Sequence, residues 1–173
     1  MSSPATNIEA IITLDALTRM SPPALAELYQ NGSVPVLTAL SGEPHGRMLA
    51  LDGVRGPARR AIRRLARRTR FPWRGKAFSH RSQDRGDGIN RIRLGMDMKW
   101  YAFETTIAPS ALDGEPCLYL NYDLDENPWF IRMIRDELRE VSPGLYLGPA
   151  LAKMGGGHRR VLHFAVDLNT PAT

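Results

Sequence analysis

Apolar and polar side chains alternate along most of the chain after Pro72, which is the pattern of strands that bury one face. The alternating segments cover residues 73–80, 89–98, 100–108, 117–123 and 161–168. Polar and glycine-containing stretches separate them, and we interpret residues 81–88 as an exposed loop. The pattern therefore predicts an antiparallel sheet of about five or six strands.

Helical spacing precedes this region. Apolar residues recur on one helical face over residues 7–20, and Ser21 followed by two prolines is typical of the N-cap and first turn of a second helix. Residues 47–51 can form a short strand. An arginine-covered helix is predicted over 55–70, so residues 1–70 are expected to be mainly helical cover.

One further helix is predicted over residues 127–141, inside the β-rich region 71–168. Asn127 can cap this helix and Pro128 fits its first position. Its inward stripe consists of Phe130, Ile131, Ile134 and Leu138. A chain of 173 residues fits one hydrophobic core, so we predict a single α+β domain, 1–173, with this helix inserted before the last strands.

Alternate positions in the predicted strands form two sets, because successive side chains of a strand point to opposite faces. The first set is apolar and has to be covered: Ile92, Leu94, Met96, Tyr101, Phe103, Leu118, Leu120, Tyr122, Leu162, Phe164 and Val166. The second set is polar or ionisable: Arg91, Arg93, Asp97, Glu104, Thr106, Tyr119, Asn121, Asp123, His163 and Asp167. In an open sheet the second set is solvated, whereas in a closed barrel we expect helices to cover the apolar outside and the polar set to line a pocket.

Such a lining can do acid–base chemistry. His163 titrates near neutrality, Glu104 can act as a base or orient it, and Tyr119 can donate a proton, so these three are the candidate catalytic residues. Candidate substrate-binding residues are Arg91 and Arg93, which can hold a carboxylate or a developing enolate, together with Asn121. The same residues also suit a cavity that only binds, because a few polar groups orient an otherwise apolar ligand.

The segment Trp73-Arg74-Gly75-Lys76-Ala77-Phe78 resembles the W-x-G-K-x-F stretch of small bacterial proteins of the GXWXG type. Those proteins resemble lipocalins in having a β-barrel, so the resemblance favours a closed or nearly closed barrel over an open sheet. In a barrel, Trp73 would plug one end, and Lys76 would pair with a carboxylate or reach the mouth. Both are therefore added to the candidate substrate-binding residues.

The net charge of +5 comes from an uneven distribution of basic residues, because eight arginines fall between residues 55 and 70. Such a cluster can attract phosphate, nucleic acid or an anionic membrane. No aromatic residues interleave with these arginines as a single-strand binding platform would require. A solvated helix face is therefore favoured over a binding surface.

Motifs for cofactors and metals are absent from the sequence. Gly155-Gly156-Gly157 lacks the lysine and hydroxyl residue of a phosphate loop and is interpreted as a hairpin turn, and the four histidines show no helical ligand spacing. We therefore predict no cofactor and no metal. The single cysteine, Cys117, and residues 1–9, which do not resemble a secretory signal, favour a cytoplasmic location, and no apolar run approaches the roughly 20 residues of a transmembrane helix.

Three functional hypotheses remain at this stage, and the sequence leaves the oligomeric state open. The first is a cofactor-independent isomerase or cyclase that acts on a hydrophobic lipid, polyketide or terpenoid in a barrel pocket. The second is a non-enzymatic carrier of a hydrophobic ligand. The third is an anionic-surface binder that uses the arginine-rich helix over 55–70.

Overall fold

The computed structural model describes residues 11–52 and 72–170, and its eight strands close into an antiparallel barrel. Each strand pairs with the strand that follows it in the chain, and the last pairs with the first. The strands are β1 (His45–Leu51), β2 (Trp73–His80), β3 (Arg85–Leu94), β4 (Met96–Pro109), β5 (Pro116–Asn121), β6 (Ile134–Ser142), β7 (Leu145–Met154) and β8 (Gly157–Asp167). The predicted α+β class and closed lipocalin-like barrel are confirmed, although the barrel has more strands than the five or six predicted.

Short helices accompany the barrel in the described part of the chain. They are α1 (Leu14–Leu17), α2 (Pro22–Gln30), α3 (Leu37–Leu40) and α4 (Trp129–Arg132). The predicted start of α2 is confirmed, since the Ser21 hydroxyl accepts a hydrogen bond from the Ala24 N–H at 3.4 Å. The helix predicted over 7–20 is helical only at α1 among its described residues. The arginine-covered helix predicted over 55–70 lies outside the described residues.

The helix predicted over 127–141 is confirmed only as α4, and its extension to residue 141 is wrong because β6 follows. Ile134 and Leu138 are four positions apart, which fits one face of a helix and equally two inward positions of a strand. The cap assigned to Asn127 is also wrong. Its buried amide donates to the carbonyl oxygens of Ala102 at 2.7 Å and Tyr122 at 2.9 Å, tying this connection to the barrel.

The hairpin between β3 and β4 also differs from the prediction. The break expected at Lys99 is wrong, because Gly95 makes the turn with φ of 79°. β3 begins at Arg85, so it takes in half of the loop predicted over 81–88. Within it, Gly88 packs against the Phe103 ring so closely that a Cβ would collide with the ring. Gly88 therefore lies within a strand, where the absence of a side chain allows close packing, and it does not mark a loop.

One apolar cluster occupies much of the barrel interior, with buried residues from β2, β4, β5, β6, β7 and β8. Its buried strand residues and the adjoining Tyr122 are Phe78, Phe103, Leu118, Leu120, Tyr122, Leu138, Tyr146, Ala150, Phe164 and Val166. Leu37 and Leu40 of α3 belong to the same cluster and are fully buried, so α3 closes one end of the barrel. Most of the predicted apolar set thus faces inward, and the expectation that helices cover it from outside is wrong.

Helices α1 and α2 cover a different surface, the outside of β1, β7 and β8. The buried residues of this outer cluster are Leu14, Leu17, Leu25, Tyr29, Leu49, Ala50, Leu145, Leu147 and Ala165. Beside it, Arg139 of β6 is 1% exposed and its guanidinium carbon lies 4.5 Å from the centre of the Tyr29 ring. Arg139 donates to both carboxylate oxygens of Asp113, at 2.7 and 2.8 Å. This pair fixes α2 and the β4–β5 turn against β6.

Glu137, the neighbouring outward residue of β6, holds the same surface together through hydrogen bonds. Its carboxylate accepts from the Tyr29 hydroxyl at 2.8 Å, the Ser110 hydroxyl at 2.6 Å and the Ala111 N–H at 2.8 Å. Burial alone would raise the pKa of Glu137, but these hydrogen bonds and that from Arg135 hold the pKa below its usual value. Glu137 is thus a satisfied structural anion on the outside of the barrel.

Candidate functional site

A cavity of about 340 Å³ lies inside the barrel beside α4. Its wall consists of Met48, Pro72, Trp73, Lys76, Asn90, Ile92, Tyr101, Tyr122, Ile131, Ile134, Asp136, Ala150, Leu162 and Phe164. Most of these side chains are aliphatic or aromatic. The polar groups are concentrated on β2, β3 and β6 and in Tyr122 just after β5, so the cavity combines an apolar body with one polar patch.

The polar patch is a hydrogen-bonded network that we call the Lys76 cluster, made of Trp73, Lys76, Asn90, Tyr122 and Asp136. Lys76 Nζ lies 2.9 Å from Asn90 Oδ1, 2.5 Å from the Tyr122 hydroxyl oxygen and 2.8 Å from Asp136 Oδ2. The Tyr122 hydroxyl lies 3.0 Å from Asp136 Oδ2 as well. Four separate segments of the barrel wall therefore converge on one ammonium group.

Aromatic rings surround the ammonium on its remaining sides. Lys76 Nζ lies 5.0 Å from the ring centre of Phe164, 5.2 Å from those of Phe103 and Tyr122, and 5.6 Å from that of Trp73. Rings at such distances attract a cation through their negative faces. Because Lys76 is only 2% exposed, this attraction and the ion pair with Asp136 replace its hydration.

Burial and pairing act on the acid–base properties of the cluster in opposite directions. Burial lowers the pKa of Lys76 below the ordinary lysine value, and the Asp136 carboxylate opposes this effect. Burial raises the pKa of the Tyr122 hydroxyl well above its usual value, and the adjacent Asp136 charge adds to the rise. Tyr122 is therefore a neutral hydrogen-bonding group across the physiological pH range.

A β-bulge brings Tyr101 into the cavity wall. On β4, Ala102 pairs with Ile89 and Trp100 pairs with Asn90, which leaves Tyr101 as the extra residue. Its φ of 60° is unusual for a residue with a side chain. Asn90 Nδ2 donates to the Tyr101 carbonyl at 3.2 Å, so the Lys76 cluster also holds the bulge in place. Strained backbone of this kind is concentrated at functional sites.

One atom of the cluster is left without a hydrogen bond. Asp136 Oδ2 accepts from Lys76 and Tyr122, whereas Asp136 Oδ1 is buried and has no hydrogen-bond partner among the described residues. A buried carboxylate oxygen normally accepts at least one hydrogen bond. Because Asp136 is part of the cavity wall, its carboxylate has one unused acceptor atom beside the polar patch.

The structure places two of the predicted binding residues, Trp73 and Lys76, in the cavity wall. Of the two alternatives for Lys76, the structure shows pairing with a carboxylate, that of Asp136, whereas the plugging of a barrel end by Trp73 stays a prediction. Trp73 Nε1 donates to Asn90 Oδ1 at 3.0 Å, and its ring packs edge-on against Phe164. Their role in binding stays a prediction.

The other predicted site residues do not line this cavity: Arg91, Arg93, Asn121, Glu104, Tyr119 and His163. The expected lining is therefore wrong for all six. The physical reason is the reversed face, since the apolar positions of the same strands occupy the interior and leave the alternate positions outside. Their proposed catalytic and binding roles have no support from their placement.

Five of these six residues have neighbours on the outer face. Arg91 pairs with Glu43 at 3.3 Å, and Arg93 pairs with the exposed Asp97 at 3.6 Å. The Tyr119 hydroxyl donates to Asn121 Oδ1 at 3.0 Å, and Asn121 stands opposite Glu104 in the β4–β5 pair. Glu104, Tyr119 and Asn121 are thus brought together, but on the outer face of the barrel. His163 lies apart from them on β8, opposite Pro149 and Ala50.

His163 illustrates why a buried histidine need not be a catalyst. It is 1% exposed, and its Nδ1 atom has no hydrogen-bond partner in residues 11–52 and 72–170. Burial, with a further contribution from Arg160, lowers the pKa of His163 to about 4. The ring is therefore neutral at pH 7 and packed as an uncharged group.

We predict that His163 makes the protein less stable in mild acid. The unfolded chain binds a proton at His163 near pH 6.5 but the folded chain only near pH 4, so stability is full above pH 6.5 and falls as the pH drops to 4. Over this pH range, His163 is expected to lower the free energy of unfolding by about 3 kcal/mol. Urea unfolding at several pH values should show that His163→Leu removes this part of the dependence.

The exposed His158 provides the control for that measurement. His158→Gln should keep the wild-type dependence of the unfolding free energy on pH. An acid dependence that is the same in His163→Leu and wild type would contradict the assignment.

Sequence reasoning missed Asn90, Tyr122, Asp136 and the bulged backbone at Tyr101. Tyr122 belongs to the apolar set, and nothing in the alternation distinguishes its hydroxyl from the apolar side chains around it. Asp136 was assigned to a helix, where its carboxylate would have faced solvent. The available signal was Asp136 itself, which lies between Ile134 and Leu138 at strand spacing. A carboxylate at an inward strand position needs a buried cation, and Lys76 is such a cation.

The described residues contain no group of three or more histidine, cysteine, aspartate or glutamate side chains placed to hold a metal ion. Among the helices of that part of the chain, none has both the length and the apolar character needed to cross a membrane.

Comparison with known proteins supports the fold. No family model matches the chain, and no curated protein matches it. Among solved structures, the chain is similar to a protein from Thermomonospora curvata known from a crystal structure, with a TM-score of 0.53 and 19% sequence identity. The similarity covers 86% of this chain and 87% of that chain. At this identity the likeness shows a shared barrel fold.

Proposed function

We propose that this barrel binds a small, largely apolar molecule in the cavity that contains the Lys76 cluster. The observation that carries the proposal is a cavity of about 340 Å³ with an apolar wall and a single ordered polar patch. Small-molecule sites have volumes of roughly 300–1,000 Å³ and are mostly apolar, with a few polar groups that fix orientation. The cavity has this composition and size.

The buried ion pair also supports a binding role. Replacing a buried ion pair by apolar residues of similar volume is often neutral or stabilising, so Lys76 and Asp136 are not the most favourable way to fill this interior. They lie where the barrel is not filled, whereas the end closed by α3 contains leucine and phenylalanine. A role in orienting a bound molecule explains why a polar cluster lies at the edge of the cavity.

Exposed apolar side chains near the cavity favour a hydrophobic guest. Ile131 of α4 lines the cavity, while the adjacent Trp129 and Phe130 are 74% and 51% exposed. Ile92 of β3 also lines it, and Leu94, two positions further along the same strand, is 54% exposed. Exposed apolar side chains therefore flank cavity-lining residues on both α4 and β3, which suits a guest that avoids water.

We predict that filling the cavity removes binding. Ala150 is nearly buried in the cavity wall, so Ala150→Phe places a ring in the space that the guest would occupy. Native mass spectrometry and solvent extraction of purified protein should detect a small apolar molecule with the wild type and much less with Ala150→Phe. Added naphthalene, as a defined probe, should bind the wild type and not the variant.

Ala77→Phe is the matched control, because Ala77 lies on β2 between the inward residues Lys76 and Phe78 and therefore points outward. This variant should bind naphthalene like the wild type. The proposal would be rejected if the wild type bound neither an endogenous molecule nor naphthalene, or if Ala150→Phe bound as well as the wild type.

A second candidate function is proton transfer on the bound molecule, as in a cofactor-independent isomerase or cyclase. The observation that favours it is the Asp136 carboxylate, which has an oxygen without a hydrogen bond in an apolar cavity and is thus suited to act as a base. Incubation of the extracted molecule with fresh protein distinguishes the candidates. Recovery of the molecule unchanged favours a carrier, and conversion that is lost in Asp136→Asn favours the enzyme.

Two further hypotheses stay as predictions. The relationship to the GXWXG proteins depends on the segment from Trp73 to Phe78. Anionic-surface binding through residues 55–70 concerns a part of the chain outside the described residues.

A further inference from the structure

The hydrogen bonds of the Lys76 cluster can be counted donor by donor. An ammonium group has three N–H donors, and Lys76 has three acceptors within 3 Å, on Asn90, Tyr122 and Asp136. The Asn90 amide donates to the Tyr101 carbonyl and to the Tyr122 hydroxyl. Trp73 donates to Asn90 Oδ1. The donors of these three side chains are therefore all used inside the protein.

The Tyr122 hydroxyl completes this count. Its oxygen receives hydrogen bonds from Lys76 at 2.5 Å and from Asn90 at 3.1 Å, so its single proton goes to Asp136 Oδ2, 3.0 Å away. The cluster thus has no donor left for a guest. What it offers instead is one acceptor, the buried Asp136 Oδ1, which has no hydrogen-bond partner among the described residues.

We propose that the cavity selects an uncharged, largely apolar molecule that carries a hydroxyl group, and that this hydroxyl donates a hydrogen bond to Asp136 Oδ1. The proposal rests on the binding function proposed above and adds the chemistry of the guest. A hydroxyl supplies the missing donor to a carboxylate oxygen, which forms a stronger hydrogen bond than a neutral acceptor does. An alcohol or a phenol on a hydrocarbon body meets both requirements of the cavity.

Other polar groups fit the cluster less well. A ketone, ester or ether brings only acceptor atoms, and the cluster has no free donor for them. A carboxylate would lie beside the Asp136 carboxylate and be repelled by it. An ammonium ligand would add a second cation next to Lys76, in an interior where an unpaired charge is costly. Among the groups compared, the hydroxyl is the one that leaves neither an unpaired charge nor Asp136 Oδ1 without a donor.

The test uses two pairs of probes that differ in one group. The first pair is 2-naphthol and 2-methylnaphthalene, which have nearly the same shape but differ in the presence of a donor. The second pair is 2-methoxynaphthalene and 2-ethylnaphthalene, which differ in an acceptor alone. Dissociation constants are measured by calorimetry or fluorescence for the wild type and for Lys76→Met/Asp136→Leu, which replaces the ion pair by apolar side chains.

Each probe is measured with both the wild type and the double variant, so differences in solubility between the probes cancel. We expect 2-naphthol to lose about tenfold in affinity relative to 2-methylnaphthalene when the wild type is replaced by the double variant. The methoxy and ethyl probes should show no such change. Asp87→Asn, which alters an exposed carboxylate on the β2–β3 hairpin, is the control and should keep the wild-type ratios.

A spectroscopic readout tests the same contact without the double variant, should that variant fail to fold. A naphthol hydroxyl that donates to a carboxylate has its absorption shifted to longer wavelength, so bound 2-naphthol should show this shift in wild type and less of it in Asp136→Asn. An unshifted spectrum of bound 2-naphthol, or a constant affinity ratio across the proteins, would overturn the proposal.

These outcomes are separate from those of the proposed function. If all four probes bind the wild type and the ratios are unchanged, the cavity binds apolar molecules but does not select a hydroxyl. If none of the probes binds, the proposed function itself fails.

Discussion

Lys76→Met is expected to lower the free energy of unfolding by about 3–5 kcal/mol, the largest effect predicted for this protein. The substitution removes the cation that neutralises Asp136, and this carboxylate is 4% exposed. It also removes the hydrogen bonds that Lys76 donates to Asn90 and to Tyr122. An uncompensated charge would then remain in an interior whose other walls are aromatic or aliphatic. Urea denaturation followed by circular dichroism measures the change.

The double variant Lys76→Met/Asp136→Leu distinguishes an unpaired charge from lost packing. With both charges gone, Asn90 still accepts from Trp73 and still reaches the Tyr122 hydroxyl. We therefore expect the double variant to unfold within about 1–2 kcal/mol of the wild type, although it lacks more polar contacts than the single variant. If the double variant were as unstable as Lys76→Met, the buried charge would not be the cause.

Arg139→Met is expected to lower the free energy of unfolding by about 2–3 kcal/mol through a different surface, the junction of α2 with β6. Arg139 donates to both oxygens of Asp113 and to the carbonyl oxygens of Glu115 and Pro116, each at 3.0 Å. Methionine fills part of the volume but supplies no donor. Asp113, Glu115 and Pro116 lie in an exposed turn, where water can replace the lost donor. The buried Tyr29 carbonyl, which accepts from Arg139 at 3.3 Å, would lose its side-chain donor beneath α2.

An exposed arginine provides the control for this prediction. Arg81 also pairs with a carboxylate, that of Asp87, through two of its nitrogens, but its side chain is 65% exposed. Arg81→Met should therefore change the unfolding free energy by about 1 kcal/mol or less. Similar losses for the two variants would mean that burial of Arg139 adds nothing to its pairing.

Much of the barrel could be predicted from the sequence because its strands bury one face. The segment 73–80 forms β2 with the predicted bounds, although a register shift between Trp73 and Gly75 interrupts its alternation. Ser21 and the prolines after it determine the start of α2 through local chemistry, since a hydroxyl cap and a fixed φ act within a few residues. Local signals of this kind do not depend on the rest of the fold.

β6 could not be recognised in the same way. Its inward residues Ile134 and Leu138 flank an inward aspartate, and its outward residues Glu137 and Arg139 are buried under α2. Charged residues on both faces of a strand give a sequence pattern that resembles the polar side of a helix. These charges are compatible with a buried strand because Asp136 pairs with Lys76 and Arg139 pairs with Asp113. Pattern alone contains no information about partners that are distant in the chain.

The candidate site was predicted in part for a related reason. Trp73 and Lys76 were identified through the resemblance of their segment to a barrel family, and both line the cavity. The acid–base candidates His163 and Glu104 lie on the polar face, because the alternation predicts that a closed barrel covered by helices turns this face inward. The barrel instead buries its apolar face and isolates one ion pair within it, an arrangement that depends on the closure of the sheet.

Methyl NMR during a titration with 2-naphthol tests most directly whether the barrel interior is a binding site. We expect saturable shifts in the methyl signals of Met48, Ile92, Ala150 and Leu162, which line the cavity, and unchanged signals from Leu25 and Leu49 of the outer cluster. Shifts confined to the outer cluster or to the surface, or no saturable shifts in the cavity residues, would contradict a binding site inside the barrel.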